Sequence, residues 1–496
     1  MTHTRYRPEL HVTAEHGIIN APAGALHEGG VWHLFHQYRR FPGGPARWAH
    51  SVRPSDPGAE WMPCDDVLAP EGEETDVRAG CAIEDNTTTR LYFTRVTAAG
   101  STVHTATISD ILATAEDIAD DPEQVDRHVT RGPLVLGDQG DYTNMRSPWV
   151  VPDWRRDDHT AGWLMLVVAG PMDSPVVLVA CSDGDPEKFR IQAPLQLGDG
   201  HGLPAGRMVS PKLIRLTDEV DGHPWDILLA TVEVPEGKDV SGYLVGHLEG
   251  TAFSVARGFT PIDHGHDFTR PRATAVGKPV WGAADSEAII FGLMNSVSRG
   301  DHPENDPSWD NEGWANCLSL ARRATLQGGR LYLTPTTALV DSVLWSKAAR
   351  AQTVMMDIPD GGSVTVRVRD TNGDTAAVVV HTGDTVTVDR SANPLHRGDQ
   401  SAIAALDPTD TNALTVITDG SCLEVFADGG AVAMSSRLWS THGFNGFTVT
   451  CDGGATITRS MEFSPRSFEA EGLDDLDDGS FTPDLLLPGG DLPDSQ

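Results

Sequence analysis

The sequence has few positively charged residues for its size. Its 496 residues include 37 Lys and Arg against 71 Asp and Glu, which gives a formal net charge of −34. Such a chain is repelled by the phosphates of nucleic acids and by anionic membrane surfaces. We therefore expect no nucleic acid and no membrane as a partner. A chain of this length, with 39% hydrophobic residues, is long enough for two or three domains with their own cores.

Long hydrophobic runs are also missing. The longest apolar stretches, such as Trp163 to Ala169, are far shorter than the roughly 20 residues that a membrane-spanning helix needs. The first eight residues, Met-Thr-His-Thr-Arg-Tyr-Arg-Pro, contain no apolar segment typical of a secretory signal peptide. Together these features predict a soluble cytoplasmic protein.

The cysteines show no spacing typical of a metal site or a redox pair. They are scattered singly and none belongs to a Cys-x-x-Cys motif, so we interpret them as reduced thiols in strands. The six positions are Cys64, Cys81, Cys181, Cys317, Cys422 and Cys451. The sequence predicts no metal and no cofactor.

Short apolar runs separated by Gly, Pro, Asp and Asn recur through the first two thirds of the chain and predict β-strands. The clearest runs are Leu91 to Val96, Trp163 to Ala169, Val176 to Cys181, Trp225 to Thr231, Tyr243 to Leu248, Ala288 to Met294 and Leu318 to Thr325. One helix is predicted, with Ser109 and Asp110 at its N-cap and its end before Asp120. Many short strands favour a sandwich, a barrel or a propeller, and without a strict repeat the pattern does not choose among them.

From about Thr353 the strands alternate like half-buried ones, with hairpin signals such as Asn372-Gly373 between them. This pattern predicts a first domain over residues 1–335, a connector over 336–350 and a β-sandwich over 351–465. After Arg466 there are nine acidic residues and no Lys or Arg. Residues 466–496 are therefore predicted to form a disordered acidic tail.

The chain opens with a rigid loop before a buried strand. Pro22 fixes its own φ and biases Ala21 away from the helical region, and Val31 to Tyr38 is apolar and aromatic. Asn20 to Gly24, followed by that strand, resembles the start of glycoside hydrolase family 32, the invertases, levanases and inulinases. That family begins with Asn-Asp-Pro-Asn-Gly, so Ala21 stands where the family has its nucleophilic Asp.

Further motifs follow in the order and spacing of that family up to about residue 463. Arg146-Ser147-Pro148 resembles its Arg-Asp-Pro motif, and Val209-Ser210-Pro211 resembles its Glu-Cys-Pro motif. The segments Trp48 to His50, Glu60-Trp61 with Leu68 to Pro70, Ala79 to Cys81, Asp267 to Arg270, Gly313 to Ala315 and Asp419 to Phe426 resemble other family motifs. The resemblance implies an all-β fold with a five-bladed β-propeller followed by a β-sandwich.

The resemblance also identifies what this chain has lost. A retaining glycosidase needs a nucleophilic carboxylate and a carboxylic acid about 5–5.5 Å apart. The positions of the nucleophile and the acid are occupied by Ala21 and Val209, and a third family carboxylate is replaced by Ser147. Methyl and isopropyl groups neither attack carbon nor transfer a proton. We therefore expect the standard β-fructofuranosidase mechanism to be absent, while Asp141, Asp153 and Asp267 are candidate substitute acids.

Other residues match positions that line or support the sugar pocket of the family. They predict a pocket that still binds a small carbohydrate, although Trp48 and Trp314 also fit as core aromatics and Gln37 as a strand hydrogen-bonding residue. The predicted binding residues are Asn20, Gln37, Trp48, Arg146, Ser147, Asp267, Phe268 and Trp314. Because carboxylates are lost beside basic residues, the ligand is predicted to be anionic. The candidate anion-binding residues are Arg146, Arg207, Lys212 and Arg270.

Three functions remain open at this point. The first is a non-hydrolytic sugar-binding relative of the β-fructofuranosidases, acting as sensor, regulator or partner subunit. The second is an active glycoside hydrolase or transferase with relocated carboxylates. The third is a structural protein that uses the propeller for assembly. The oligomeric state is not indicated by the sequence.

Overall fold

The computed structural model describes residues 6–56, 58–85, 88–119, 121, 123–155, 162–235, 238–275, 284–295, 302–336 and 338–466. Residues up to Pro465 form one compact unit, and the predicted acidic tail beyond Arg466 lies outside the described residues. None of the helices in the described ranges is long and apolar enough to cross a membrane. The thiols of all six cysteines are free, and the Sγ atoms of Cys317 and Cys422 lie 3.4 Å apart.

Strands dominate the part of the chain before residue 336, as the alternating apolar runs predict. In chain order they are β1 (Gly17–Glu28), β2 (Val31–Arg39), β3 (Ala46–Pro54), β4 (Met62–Pro63), β5 (Glu74–Asp85), β6 (Thr88–Thr97), β7 (Gly100–Ile108), β8 (Val129–Leu136), β9 (Arg146–Pro152), β10 (Trp163–Ala169), β11 (Val176–Ser182), β12 (Arg190–Pro194), β13 (Gln196–Leu197), β14 (Arg207–Thr217), β15 (Pro224–Glu233), β16 (Val240–Glu249), β17 (Ala252–Pro261), β18 (Thr269–Ala275), β19 (Ala288–Met294), β20 (Trp314–Ala315), β21 (Cys317–Leu318), β22 (Arg322–Gln327) and β23 (Arg330–Pro335).

These strands form five sheets in the described residues. The first strands of the five sheets, in chain order, are β1, β5, β9, β14 and β18. Within each sheet, the strands that follow pair mainly as antiparallel neighbours. The first strands contact one another in chain order, and β18 also contacts β1, so the five first strands close a ring. The short strand β20 pairs in parallel with β1 and thereby brings a late segment into the first sheet.

Two further sheets lie after residue 349. Their strands are β24 (Arg350–Asp357), β25 (Ser363–Asp370), β26 (Thr375–His381), β27 (Thr385–Asp389), β28 (Ala402–Ala405), β29 (Ala413–Asp419), β30 (Cys422–Ala427), β31 (Val432–Arg437), β32 (Phe444–Asp452) and β33 (Thr456–Phe463). One sheet has the order β31-β30-β29-β24-β33 and the other β28-β27-β26-β25-β32. Both contribute apolar side chains, such as Val366 and Val416, to one shared core.

Two α-helices are present in the described residues, α1 (Pro307–Glu312) and α2 (Leu339–Trp345). The second of them lies within the predicted connector. The helix predicted from Ser109 is wrong, because this segment forms only a 3₁₀ turn over Ala113–Ala115. The Asp110 carboxylate caps the turn as expected, but the Ala119 N–H donates to the side chain of Asp65 instead of continuing a helix. So short a segment has little helical stability of its own.

The predicted strand Leu318 to Thr325 is split in the structure. Cys317–Leu318 forms β21, and β22 starts only at Arg322. The Leu320 N–H donates to the buried carboxylate of Glu424 rather than to a neighbouring strand. The strand is thus interrupted where the five-sheet part, residues up to 335, meets the later sheets. A run of apolar residues in the sequence does not predict this interruption.

Candidate functional site

Each of the five first strands has a break in its register near one end. The breaks in β1, β5, β14 and β18 fall at Ile19/Ala21, Arg78/Cys81, Val209/Lys212 and Thr269/Arg272. In β9 the break falls between Arg146 and Trp149. A β-bulge of this kind bends the strand and redirects a side chain. The breaks coincide with the sequence motifs, so the motifs mark bulges on one ring of strands.

Three of these bulges contain a non-glycine residue in the left-handed region. The φ angles are 55° for Ser147, 52° for Ser210 and 52° for Arg270. Such values are uncommon for residues with a side chain and often occur at functional sites. In each case the next residue is proline. This recurring X-Pro pair, which also occurs at Ala21-Pro22, is a repeat signal that the sequence interpretation missed.

Gly80 shows why the bulge of β5 has no side chain at this point. A Cβ atom added to Gly80 would lie 1.9 Å from the carbonyl oxygen of Tyr92. No real Cβ contact is this short, so the close approach of the two backbones requires glycine. The neighbouring Ala79 N–H donates to Oε1 of Gln37 at 2.8 Å, which ties β5 to β2. Gln37 therefore acts as a strand-bridging residue here, and its predicted role toward a sugar stays a prediction.

The positions expected to carry catalytic carboxylates lie on these bulges. Ala21 is buried opposite Gln37 in β2, and Val209 is half-buried opposite Thr231 in β15. The backbone N–H of Ser147 donates to Oγ1 of Thr94 at 2.9 Å, which anchors its bulge. The bulges at Ala21, Ser147 and Val209 thus carry side chains without a carboxyl group.

Arg146 is held by carbonyl oxygens rather than by a carboxylate. Its Nη1 donates to the carbonyl oxygens of Asn144 at 3.0 Å and Gly170 at 2.6 Å, and Nη2 donates to that of Pro171 at 3.3 Å. Burial lowers the pKa of Arg146, and Arg78 acts in the same direction against the opposing effect of Glu233. Several donors of Arg146 are thus used to position two neighbouring loops.

Two of the predicted anion-binding residues already have partners within the protein. Arg207 forms an ion pair with Glu233, with Nη2 3.1 Å from Oε2. Lys212 is fully buried, and its Nζ lies 2.6 Å from the carbonyl oxygen and 2.8 Å from Oγ of Ser210. The prediction of an anion site therefore rests mainly on Arg270, with Arg146 already engaged.

The environment of Lys212 disfavours its charged form. Burial lowers the pKa of Lys212 well below its usual value, and the nearby guanidinium groups of Arg272 and Arg270 lower it further. Arg272 is itself buried, with Nε donating to the carbonyl oxygen of Pro22 and its guanidinium over the ring of Trp149. Burial lowers the pKa of Arg272 to about 10. Three basic side chains, those of Lys212, Arg270 and Arg272, thus lie close together in the described residues.

Asn20 and Arg270 meet across the junction of β1 and β18. Nη1 of Arg270 donates to the carbonyl oxygen of Asn20 at 3.1 Å. The side-chain Oδ1 of Asn20 is buried and has no hydrogen-bond partner among the described residues. A buried acceptor without a partner costs about 1–3 kcal/mol, so a bound donor would stabilise this arrangement.

Asp267 contacts the later sheets, whereas Phe268 contacts β22 of the five-sheet part. The Asp267 carboxylate is buried, with Oδ2 2.7 Å from Nη1 of Arg390 and accepting from the backbone N–H of Arg437 at 2.8 Å. Burial would raise the pKa of Asp267, but Arg390 and other cationic neighbours hold it well below its usual value. The ring of Phe268 lies under the guanidinium of Arg322. These contacts give both residues a structural role, and a role in sugar binding stays a prediction.

Trp48 and Trp314 are both fully buried. Trp48 packs in a core with Phe35 and Val67, whereas the Nε1–H of Trp314 donates to Glu312 at 2.8 Å. Neither indole is exposed to solvent, so the core-aromatic interpretation accounts for both side chains. Their predicted contact with a sugar is not tested by this burial alone.

The other candidate acids are placed away from the bulges. Asp141 is exposed in a loop, and Asp153 follows the opposite end of β9, where it pairs with Arg155 at 2.7 Å. In the described ranges, no group of three or more His, Cys, Asp or Glu side chains could hold a metal ion.

Comparison with solved structures defines the class of fold. A sucrose-6-phosphate hydrolase from Lactobacillus gasseri is similar with a TM-score of 0.71 and 18% identity, over 94% of each chain. A mutant β-fructofuranosidase from Bombyx mori, solved in complex with sucrose, has a TM-score of 0.68 and 21% identity over 93% of this chain and 94% of that one. The chain thus has the nearly all-β, propeller-plus-sandwich fold of these hydrolases, which confirms the predicted fold class at this level.

The family follows from the sequence. The model of the glycosyl hydrolases family 32 N-terminal domain matches residues 11–335, and that of the C-terminal domain matches residues 321–465. The chain belongs to glycosyl hydrolase family 32, and the resemblance found in its motifs is confirmed. A sucrose-6-phosphate hydrolase of Zymomonas mobilis is 25% identical over 356 residues, which cover 67% of this chain and 62% of that protein.

Proposed function

We propose that this family 32 protein binds a small carbohydrate of the sucrose or fructan type and does not cleave it by the family's double-displacement mechanism. In this proposal the five sheets are the blades of a five-bladed propeller. The ligand lies at the bulges of their first strands. Asn20, Ser147 and Arg270 are the residues that contact it.

The absence of a carboxylate at three bulges carries the proposal. A retaining mechanism needs two carboxyl groups at the sugar, and Ala21 and Val209 cannot act as nucleophile or acid. Two acids on or near the first strands, Glu233 and Asp267, are ion-paired with Arg207 and Arg390. A carboxyl group whose oxygens already contact a guanidinium is engaged by that partner, so it is poorly placed to attack a sugar or to donate a proton to it.

Two observations support retention of a sugar site. The buried Oδ1 of Asn20 lacks a protein partner in the described residues, and a sugar hydroxyl would supply the missing donor. The similar Bombyx mori structure was solved in complex with sucrose, which supports a neutral disaccharide as the class to test. The names of the sucrose-6-phosphate hydrolases among the relatives extend that class to sugar phosphates.

The decisive experiment measures binding and cleavage separately. We expect calorimetric titration to detect sucrose or sucrose 6-phosphate, and we expect fructose release from sucrose, sucrose 6-phosphate, inulin and levan to stay at background. Losing a catalytic carboxylate usually removes several powers of ten in rate. Robust fructose release by the purified protein would contradict the proposal and favour an active hydrolase with relocated acids.

A matched variant tests the reason for the inactivity. Ala21→Asp combined with Val209→Glu restores both family carboxylates on bulges whose backbone is already formed. We expect this double variant, and neither single variant, to release fructose above background. Absence of all sugar binding in the wild-type protein would instead favour a structural or assembly role.

A further inference from the structure

Ser210 and Lys212 form a close side-chain pair on β14. Nζ of Lys212 lies 2.8 Å from Oγ of Ser210, within hydrogen-bonding distance. Ser210 is half-buried at the bulge, whereas Lys212 is fully buried beneath it. The left-handed φ of 52° at Ser210 brings its hydroxyl and the amine two residues later to the same side of the strand. One member of the pair is thus accessible and the other is shielded from water.

The surroundings of the buried amine favour its neutral form over its charged form. Its hydrogen-bond partners in the described residues are both on Ser210, the carbonyl oxygen at 2.6 Å and the hydroxyl, and no carboxylate faces it. The neighbouring charges are those of Arg270 and Arg272, and burial with these two cations lowers the pKa of Lys212 well below its usual value. A neutral amine has a lone pair that can accept the hydroxyl proton of Ser210.

We propose that Ser210 and Lys212 act as nucleophile and general base in acyl transfer from an ester, with an O-acylated sugar as the substrate class. A hydroxyl activated by an adjacent base is the standard arrangement for a covalent acyl intermediate. A serine–lysine pair is one of the known variants of this arrangement. The proposal adds a second chemistry at a site where the glycosidase carboxylates are absent.

The reaction balances as ester hydrolysis. Lys212 accepts the proton of the Ser210 hydroxyl while Oγ forms a bond to the ester carbonyl carbon. The bond from that carbon to the sugar oxygen then breaks, and the leaving alkoxide takes the proton from Lys212. Water attacks the acyl-serine with Lys212 again as base, which releases the carboxylic acid and restores Ser210. The net reaction consumes one ester and one water and produces one sugar alcohol and one acid.

Arg270 supplies positive charge for the transition state. It lies at the bulge of the adjacent strand β18. In the described residues its guanidinium makes one hydrogen bond, in which Nη1 donates to the carbonyl oxygen of Asn20. The remaining N–H groups of the guanidinium are available to the negative charge that develops on the carbonyl oxygen. Arg270 therefore serves in this reaction as a stabilising group and not as a proton carrier.

The serine–lysine pair does not depend on the proposed sugar binding, whereas the choice of an acylated sugar rests on it. Two kinds of substrate test the activity of the pair and the choice of an acylated sugar separately. A fluorophosphonate and p-nitrophenyl acetate test the pair alone, and sucrose acetate tests the pair together with the sugar site. Reaction with the first two but not with sucrose acetate would overturn the substrate class and leave the pair standing.

The first test is covalent labelling of the full-length protein with a fluorophosphonate probe, followed by peptide mass spectrometry. We expect the label on Ser210 and not on Ser147, which has the same left-handed bulge but no lysine beside it. Ser210→Ala should abolish labelling, and Ser254→Ala, at an exposed serine of β17, should leave the rate unchanged. Labelling at another residue, or none in the folded wild-type protein, would overturn the proposal.

The second test isolates the role of the amine. Lys212→Met removes the base and preserves an unbranched buried side chain, so this variant should fold and melt no lower than the wild type. We expect it to lower the rates of labelling and of p-nitrophenyl acetate hydrolysis by at least about 100-fold, the usual size of a general-base contribution. A change smaller than about twofold in a folded Lys212→Met variant would overturn the role of Lys212.

Discussion

Arg322 of β22 and Glu424 of β30 form an ion pair in which both side chains are fully excluded from solvent, with Nη2 2.6 Å from Oε2. The same guanidinium contacts Asp263 through Nη1 at 2.8 Å, and the same carboxylate accepts the Leu320 N–H at 2.7 Å. Glu424 also faces Nε2 of His11 at 3.1 Å. The pair therefore joins the five-sheet part of the chain to the later sheets through a buried polar network.

Breaking this pair should destabilise the protein strongly. Removal of one partner leaves an uncompensated buried charge, so Arg322→Met is expected to lower the free energy of unfolding by about 3–5 kcal/mol. Urea unfolding followed by tryptophan fluorescence measures the change. The control is Lys347→Met, which removes an exposed ion pair with Glu60 and should cost at most about 1 kcal/mol. Equal effects of the two substitutions would show that burial of the pair is unimportant.

His11 should make the protein less stable at alkaline pH. Burial lowers the pKa of His11, but hydrogen bonds to Asp419 and Glu424 outweigh burial and raise it to about 10. The folded state therefore holds a proton that the unfolded state releases near pH 6.5, so this stabilisation is complete below that pH and is lost as pH rises toward 10.

Thermal melts between pH 6 and 10 of the wild type and His11→Gln measure this effect. We expect the wild type to lose up to about 1.4 kcal/mol per pH unit more than the variant over this window. Parallel curves for the two proteins would mean that His11 is not protonated in the folded state.

Arg270 should distinguish anionic from neutral sugars. We expect Arg270→Gln to weaken binding of fructose 6-phosphate or sucrose 6-phosphate about 10- to 100-fold, because a charge-assisted hydrogen bond contributes roughly 1.5–3 kcal/mol. Binding of sucrose itself should change little. Calorimetry with Arg257→Gln, an exposed arginine on β17, controls for the loss of one positive charge. A wild-type preference for neutral sucrose would refute the anionic-ligand prediction.

Deletion of residues 467–496 should leave the folded part unaffected. This segment contains nine acidic residues and no Lys or Arg, so the formal net charge changes from −34 to −25. A segment of this composition buries little apolar surface, and differential scanning calorimetry should show nearly the same melting temperature. A decrease of many degrees would show that the segment packs on the rest of the protein.

Much of the fold could be predicted from local patterns. Trp163–Ala169 and Ala288–Met294 are strands over their full predicted length, because continuous apolar runs of this size fit strands buried on both faces. The segment after Ser109, predicted to be helical, instead contacts a distant part of the chain, because the Ala119 N–H donates to Asp65, more than 50 positions earlier. Such a contact is invisible to a local pattern.

The motifs of the candidate site could be located in the sequence, but their backbone geometry could not. The motifs containing Ala21, Ser147 and Val209 coincide with three of the bulges, although the sequence analysis predicts no bulge there. The partners of the basic residues depend on tertiary contacts, however. No local pattern indicates that Arg207 pairs with Glu233 or that Lys212 is buried against Ser210. Recurrent X-Pro pairs, read as one repeated feature, would have indicated Ser210 as a bulge residue.

The proline that follows each left-handed bulge has a consequence for how this protein can diversify. The backbone at Ser147, Ser210 and Arg270 is set by strand register and by the next residue, while each of the three residues is only half-buried. The three present side chains already differ in size and charge at an almost identical φ. We therefore expect the side chains at these three positions to be replaceable without loss of the fold. In evolution, such a protein could lose one activity and acquire another while it remains folded at every step.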